Sequence, residues 1–264
     1  MSQVIAALPM YDWPEARDET DAQWAAIRER LAVAGIEAPE SLVRRNADMP
    51  AVPGGIRDTA GAVIAPDPAS LPPDELDPHT LWRHPSLIFG QTCWGPMELG
   101  LQEHVVVVGQ PDYSAFEGGE GELYSSVILM RKSSSRSRAE AQFSDPLPVE
   151  IMRGARFAFN GPDSMSGIIA LTRDLAAQGE SIDLFGEQIE TGGHRQSIRA
   201  VAAGRADVCA IDCRSWALAQ RFEPAARELT PVGWTARRKG LPYITSRAHR
   251  DLAETVARAL TDRD

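Results

Sequence analysis

Three short stretches carry residues that could bind an anion. The first is Asn160-Gly161-Pro162-Asp163-Ser164-Met165-Ser166-Gly167, which follows the apolar run Arg156 to Phe159. Four turn-forming residues lead into Ile168, Leu171 and Leu175 at helical spacing, with Gly179 placed to end the helix. Asp163 or Ser164 is the natural N-cap. The pattern predicts a strand, a tight turn and a helix start. The first N–H groups of a helix have no intrahelical partner, and the macrodipole places partial positive charge there. Ser164 and Ser166 add hydroxyl donors, and Gly167 would let a ligand approach the backbone. Such an end can hold a phosphate-like group. The plainer reading is that Ser164 caps an ordinary helix.

The second stretch is Thr191-Gly192-Gly193-His194, where His194 opens a helical pattern through Ile198, Val201 and Ala202. The third is Gly90-Gln91-Thr92-Cys93, directly after the apolar run Leu87-Ile88-Phe89. Gln91 and Thr92 offer an amide and a hydroxyl. No base lies near Cys93, so a buried, unreactive thiol is expected there. Tyr11 follows the apolar run Val4 to Leu8, within Pro9-Met10-Tyr11-Asp12-Trp13-Pro14. In open α/β sheets such strand ends are where ligands bind. Tyr124, Ser125 and Ser126 begin the strand Leu123 to Arg131. Asp212 ends the strand Val208 to Ile211, and Tyr243 lies in the extended piece Gly240 to Ile244.

The elements that would position these residues alternate strand and helix throughout, which predicts an α/β fold with mostly parallel sheets. Thr20 to Ala34 reads as a helix with Trp24, Ile27 and Leu31 on one face. Ser41 to Arg44 reads as a weak strand closing a βαβ unit. Asp48 to Pro78 holds seven prolines and three glycines, so it reads as a surface excursion outside the core, with a hairpin around Ile56 and Val63. Lys132 to Arg138 reads as a solvated Ser/Arg loop. Cys213 to Phe222 is helical around Trp216, and Pro224 stops it. The runs Val105–Val108 and Leu229–Val232 flank a self-contained middle. They predict one lobe from 1–108 plus 220–264, and a second from 109–219.

Composition narrows the function. Hydrophobic residues at 43% and charged residues at 24% fit a soluble globular protein. A net charge of −10 argues against a nucleic-acid or anionic-membrane partner, so an anion site must rest on local donors. No apolar run approaches the ~20 residues of a membrane span. The first ten residues lack a basic n-region and a long apolar run, which predicts a cytoplasmic chain as given, or a periplasmic one if a signal was removed. The three cysteines form no CxxC pair and predict free thiols, not a disulfide framework or a zinc site. No cofactor and no metal are expected.

Six segments then occur in order: Ala6 to Asp12, Gly90 to Cys93, Phe159 to Gly167, Gly192 to His194, Ala206 to Asp212, and Gly240 to Tyr243. Together they resemble the phosphate/phosphite/phosphonate substrate-binding proteins of ABC transporters, over nearly the whole chain apart from the proline-rich excursion. The resemblance implies the type 2 periplasmic-binding-protein fold, with two α/β lobes and a ligand cleft between them. It implies that Ser164, Ser166, Gly167 and His194 hold the oxyanion. Met165 stands where typical phosphonate binders have a threonine. Arg214 stands where they carry an acidic residue for a substrate amine, with Asp212 two residues earlier. The expected function is a solute-binding protein that closes on a small oxyanion, phosphonate, phosphite or phosphate, in partnership with an ABC transporter permease. Tyr11, Gln91 and Tyr243 would contact the ligand from the other lobe. The alternatives are a cytoplasmic ligand sensor or an enzyme on the same fold.

Overall fold

The computed structural model of the protein describes residues 3–132 and 147–261. The Ser/Arg loop expected from Lys132 to Arg138 lies, from Ser133 onward, outside the described residues. The chain divides into two compact units, Met1–Gln110 with Leu241–Asp264, and Pro111–Gly240.

The strands that matter are, in chain order, β1 (Ile5–Ala7), β2 (Leu87–Gln91), β3 (Val105–Gly109), β4 (Ser126–Arg131), β5 (Arg156–Phe159), β6 (Glu187–Glu190), β7 (Val208–Asp212), β8 (Leu229–Trp234) and β9 (Tyr243–Ser246). The main helices are α1 (Arg17–Val33), α2 (Ala170–Ala177), α3 (His194–Ala202), α4 (Cys213–Phe222) and α5 (Ala253–Thr261).

The first unit is built on a four-stranded sheet in the order β1-β2-β9-β3. β1 runs parallel to β2, and β9 runs antiparallel to both β2 and β3. On one face α1 buries Trp24, Ile27 and Leu31, spaced to form a single stripe, and α5 adds Val256 and Ala259. Trp24 stacks on Phe89 of β2 with ring centroids 5.7 Å apart. The other face packs Trp82, Leu87, Met97 and Leu101.

Two expectations fail in this unit. Ser41 to Arg44 forms no strand. The backbone N–H groups of Arg44 and Arg45, which a ladder would need, both donate to the Asp48 carboxylate, at 3.1 and 3.0 Å. Only Val43 reaches β1, donating to the Ala6 carbonyl at 2.8 Å. The proline-rich excursion does form its hairpin, Ile56–Arg57 against Val63–Ala65. It is not outside the core, however. Ile56 and Ala65 are buried, and Met49 packs in one cluster with Val43 and Trp82.

The second unit is built on a five-stranded sheet in the order β8-β4-β7-β5-β6. β7, β5 and β6 are mutually parallel, while β4 runs antiparallel to β7 and β8 antiparallel to β4. Both sheets are therefore mixed, and the mostly parallel arrangement is corrected. The boundary at 219/220 is corrected too. Leu229–Trp234 does not return to the first unit; it completes β4, whose Val127 to Leu129 are wholly buried and need a ladder on each side. Pro231 is tolerated because β8 is an edge strand. The chain leaves the second unit only at Gly240.

Candidate functional site

In the second unit, the C-terminal ends of β5, β6 and β7 and the N-terminal end of β4 share one sheet edge, with Asp212 directly opposite Ser126. Each of the three parallel strands turns at that edge into a helix start, at Met165, His194 and Cys213. Three helix starts therefore share this edge, and that of α4 is already engaged, its Cys213 N–H donating to the Ser125 carbonyl at 3.0 Å and its Ser215 N–H to Asp212.

The first start is held by its own side chains. Ser164 is the N-cap, and its Oγ accepts the Gly167 N–H at 3.0 Å. Met165 to Ile169 form one π-helical turn before α2, a widening that recurs at functional sites. The N–H groups of Met165 and Ser166 head this turn with no intrahelical carbonyl to reach. Gly167 is confined by the turn itself. A Cβ there would sit 2.7 Å from Ser164 Oγ and 2.8 Å from Asn160 Oδ1. The expectation that Gly167 opens the backbone to a ligand is corrected, because its N–H and its free face are taken by Ser164 and Asn160.

Ser166, His194 and Asp212 come together although they are far apart in sequence. Ser166 Oγ lies 2.9 Å from His194 Nε2, and the same Nε2 lies 3.1 Å from Asp212 Oδ2. Asp212 is buried at 2% exposure. Burial alone would push its carboxyl up. The hydrogen bonds from His194 and Ser215 outweigh that and hold it below the ordinary carboxylate value. An ionised Asp212 can only accept, so Nε2 carries a proton and donates it. Ser166 Oγ shares that proton as acceptor and keeps its own O–H for another partner. His194 Nδ1 is buried without a hydrogen-bond partner among the described residues. Asp212 Oδ1 also caps α4, accepting the Ser215 N–H at 2.9 Å.

The neighbouring serines have structural work. Ser126 Oγ donates to the Ser166 carbonyl at 2.9 Å, which ties β4 to the helix start. Ser125 Oγ donates to the Gly118 carbonyl at 2.8 Å and holds the loop before β4. Both were expected as ligand donors, and both protons are already placed on backbone carbonyls. Tyr124 is buried with its ring 5.4 Å from Tyr113. Of the residues expected here, Ser166 and His194 keep donor or acceptor capacity at the edge.

The first unit has its own edge of this kind. β1 and β2 are parallel and end together, and β9 begins opposite Gln91 with Tyr243. Gln91, Thr92 and Tyr243 therefore share one end of the sheet, and Tyr11 follows β1 at that end. All four are buried. Gln91 Nε2 and Thr92 Oγ1 lack hydrogen-bond partners among the described residues. Tyr243 packs on Phe89 at 5.1 Å, and its hydroxyl accepts from Gln23 Nε2 at 2.9 Å.

Residues 98–264 match the model of one protein family, the periplasmic substrate-binding proteins of phosphonate ABC transporters. The chain belongs to this family. Solved structures agree on the fold. PhnD1 from Prochlorococcus marinus, in complex with methylphosphonate, aligns over 97% of this chain and 82% of its own, with a TM-score of 0.61 at 16% identity. A binding protein component of an ABC phosphonate transporter from Pseudomonas aeruginosa aligns over 94% and 71%, with a TM-score of 0.56 at 14% identity. A Xanthomonas citri protein bound to ATP aligns over 98% and 82%, with a TM-score of 0.57 at 12% identity. No curated protein matches the chain. The type 2 periplasmic-binding-protein fold implied by the resemblance is thus the fold of this chain.

Within this phosphonate-binding family member, sequence reading missed the residues that hold the site from behind. Glu223 accepts from Arg195 Nε at 2.7 Å and Arg199 Nε at 2.8 Å, fixing α3 against the end of α4. Thr235 Oγ1 accepts the Ser126 N–H at 2.8 Å. Asn160 accepts the Gly192 N–H through its carbonyl at 2.8 Å, joining the first two helix starts. The sequence signal for Glu223 was its place just after a helix, next to Pro224. Thr235 carried none. No group of His, Cys, Asp and Glu that could hold a metal occurs among the described residues. Nor is any described helix long and apolar enough to cross a membrane.

Proposed function

We propose that the protein is a solute-binding protein for a small phosphorus oxyanion of the phosphonate, phosphite and phosphate class. The observation that carries this reading is the Ser166–His194–Asp212 cluster at the meeting of three helix starts. There the Ser166 O–H is uncommitted, and His194 Nδ1 is buried without a partner. Unsatisfied buried groups of this kind call for an occupant. A ligand oxygen would accept from Ser166 and from the first-turn N–H groups of Met165 and Ser166. Ser164, Gly167, Ser125, Ser126, Tyr124 and Asp212 hold this edge in shape. Tyr11, Gln91, Thr92 and Tyr243 form a second candidate edge, supported by the unpartnered polar atoms of Gln91 and Thr92.

We propose binding and not catalysis. A serine hydrolase needs a histidine nitrogen free to take the serine proton, with the carboxylate on the other nitrogen. Here Asp212 and Ser166 both address Nε2, which is already protonated. Family membership supports delivery of the ligand to an ABC transporter permease and work in the periplasm. Fractionation of expressing cells and co-purification with a permease test those two points.

Calorimetry of the full chain with methylphosphonate, phosphite, phosphate and sulfate tests the main reading. Saturable binding of at least one phosphorus oxyanion, weakened by Ser166→Ala, is expected. Absence of binding by all three would refute it.

A further inference from the structure

The first unit has a cavity of about 650 Å³ that the anion-binding edge does not use. It lies at the opposite end of the sheet. β9 runs from Tyr243, opposite Gln91, to Ser246, opposite Val105, and the cavity is lined by Ser246 and Arg247 with His104, which precedes β3. Its volume falls within the ~300–1,000 Å³ of small-molecule sites.

The lining is basic in a chain whose net charge is −10. Arg57 comes from the proline-rich hairpin, Arg83 from the helix Pro78–Arg83, and Arg247 from the turn of helix that directly follows β9. Against these three stand two carboxylates, Asp58 and Glu103. Neither makes an ion pair with the arginines, and among the described residues no carboxylate lies in salt-bridge contact with any of the three. Asp58 instead accepts the Ala60 and Ala62 N–H groups, each at 2.9 Å, which closes the hairpin turn. Arg57 donates to the Gly61 carbonyl at 2.8 Å, so its guanidinium is held over that turn. Arg83 is half-buried and donates to the His79 carbonyl at 3.1 Å. Burial holds its guanidinium below the usual arginine range, and the more distant Asp77 only partly opposes this. Three cations from three separate elements line one concavity with two carboxylates, and none of the three is ion-paired among the described residues. Guanidinium forks match carboxylate and phosphate oxygens bidentately.

We propose that this cavity is a second binding site, for a multiply charged small anion, separate from the Ser166–His194 edge. The proline-rich excursion then has a role that its composition did not disclose: it folds over the end of the sheet and supplies one wall and one of the three arginines.

Calorimetry of the full chain with inorganic pyrophosphate and, separately, citrate tests this at low salt. At least one of the two probes should bind saturably. Arg83→Gln with Arg247→Gln should weaken that binding about tenfold or more, since each removes a charge-assisted contact. Ser166→Ala should leave it unchanged, as should Arg227→Gln, which removes an exposed arginine of the second unit. If the double variant does not fold, Arg247→Gln alone serves, since its side chain is exposed; a loss of about threefold is then expected. Absence of saturable binding overturns the proposal. So does an equal loss with Arg227→Gln, which would mean general charge attraction, or a loss that follows Ser166→Ala, which would place the anion at the other site.

Discussion

Ser166, His194 and Asp212 show how little of a site is visible in residue types alone. A serine, a histidine and an aspartate within 3.1 Å contacts would suggest nucleophilic catalysis, yet the choice of nitrogen reverses the reading. On the proposed function, Ser166→Ala removes one donor to a charged oxygen, and its affinity loss should be about 1.5–3 kcal/mol, read by calorimetry. Asp212 gives a pH signature. Its folded value lies below its unfolded one, so its stabilising contribution is complete above the unfolded value, near pH ~4, and is lost as pH falls through the folded value. Urea denaturation from neutral pH down to about pH 2.5 should therefore show a difference between the wild type and Asp212→Asn that shrinks below pH ~4. A difference that grows with acidity would contradict the ionised-Asp212 reading.

At the scale of elements, the site is a matter of where helices begin. α3 is amphipathic, with Ile198 and Val201 buried, and this sets which face it turns inward. Arg195 and Arg199 then lock it to Glu223, a buried carboxylate. Burial alone would raise the Glu223 carboxyl, but the two arginines outweigh that and hold it low. Glu223→Gln keeps the shape and removes the charge. It should cost about 1–3 kcal/mol in urea denaturation and weaken oxyanion binding through α3, without touching the ligand. Gly240 shows the same dependence on a neighbour. A Cβ there would overlap the Tyr113 ring, so Gly240→Ala should destabilise by about 1–3 kcal/mol through overpacking, measurable as a lower Tm. The Gly240-Leu241-Pro242-Tyr243 segment is thus held at its first residue by packing against Tyr113.

At the scale of the whole molecule, ligand linkage gives the broadest prediction. Methylphosphonate at 100 times its Kd should add about 2.7 kcal/mol to the folded state. For a chain of this size that is about 5–10 °C in Tm. Sulfate at the same concentration serves as the comparison oxyanion in the same scan, and no shift with any phosphorus oxyanion would defeat the proposed function. The three cysteines are free and buried, and burial raises the thiols of Cys209 and Cys213. Thiol titration of the native protein should accordingly be slow and become complete only on unfolding.

Local pattern was enough for much of this molecule. The strand–turn–helix at Arg156 to Leu175, the helix start at His194 and the helix Cys213–Phe222 all follow from spacing, caps and breakers, because those signals act within a few residues. Six short motifs in order also named the family. What pattern could not decide was pairing. Leu229–Trp234 is an apolar run that suits either sheet, and only the unpaired edge of β4 assigns it. Ser41–Arg44 fails as a strand because Asp48 captures the N–H groups a ladder requires. The serines divide in the same way. Their hydroxyls were legible as donors, but whether each faces a carbonyl, as Ser125 and Ser126 do, or stays available, as Ser166 does, depends on partners tens of residues away. Spacing acts along the chain, whereas a hydrogen bond is settled by whatever group the fold brings within 3 Å.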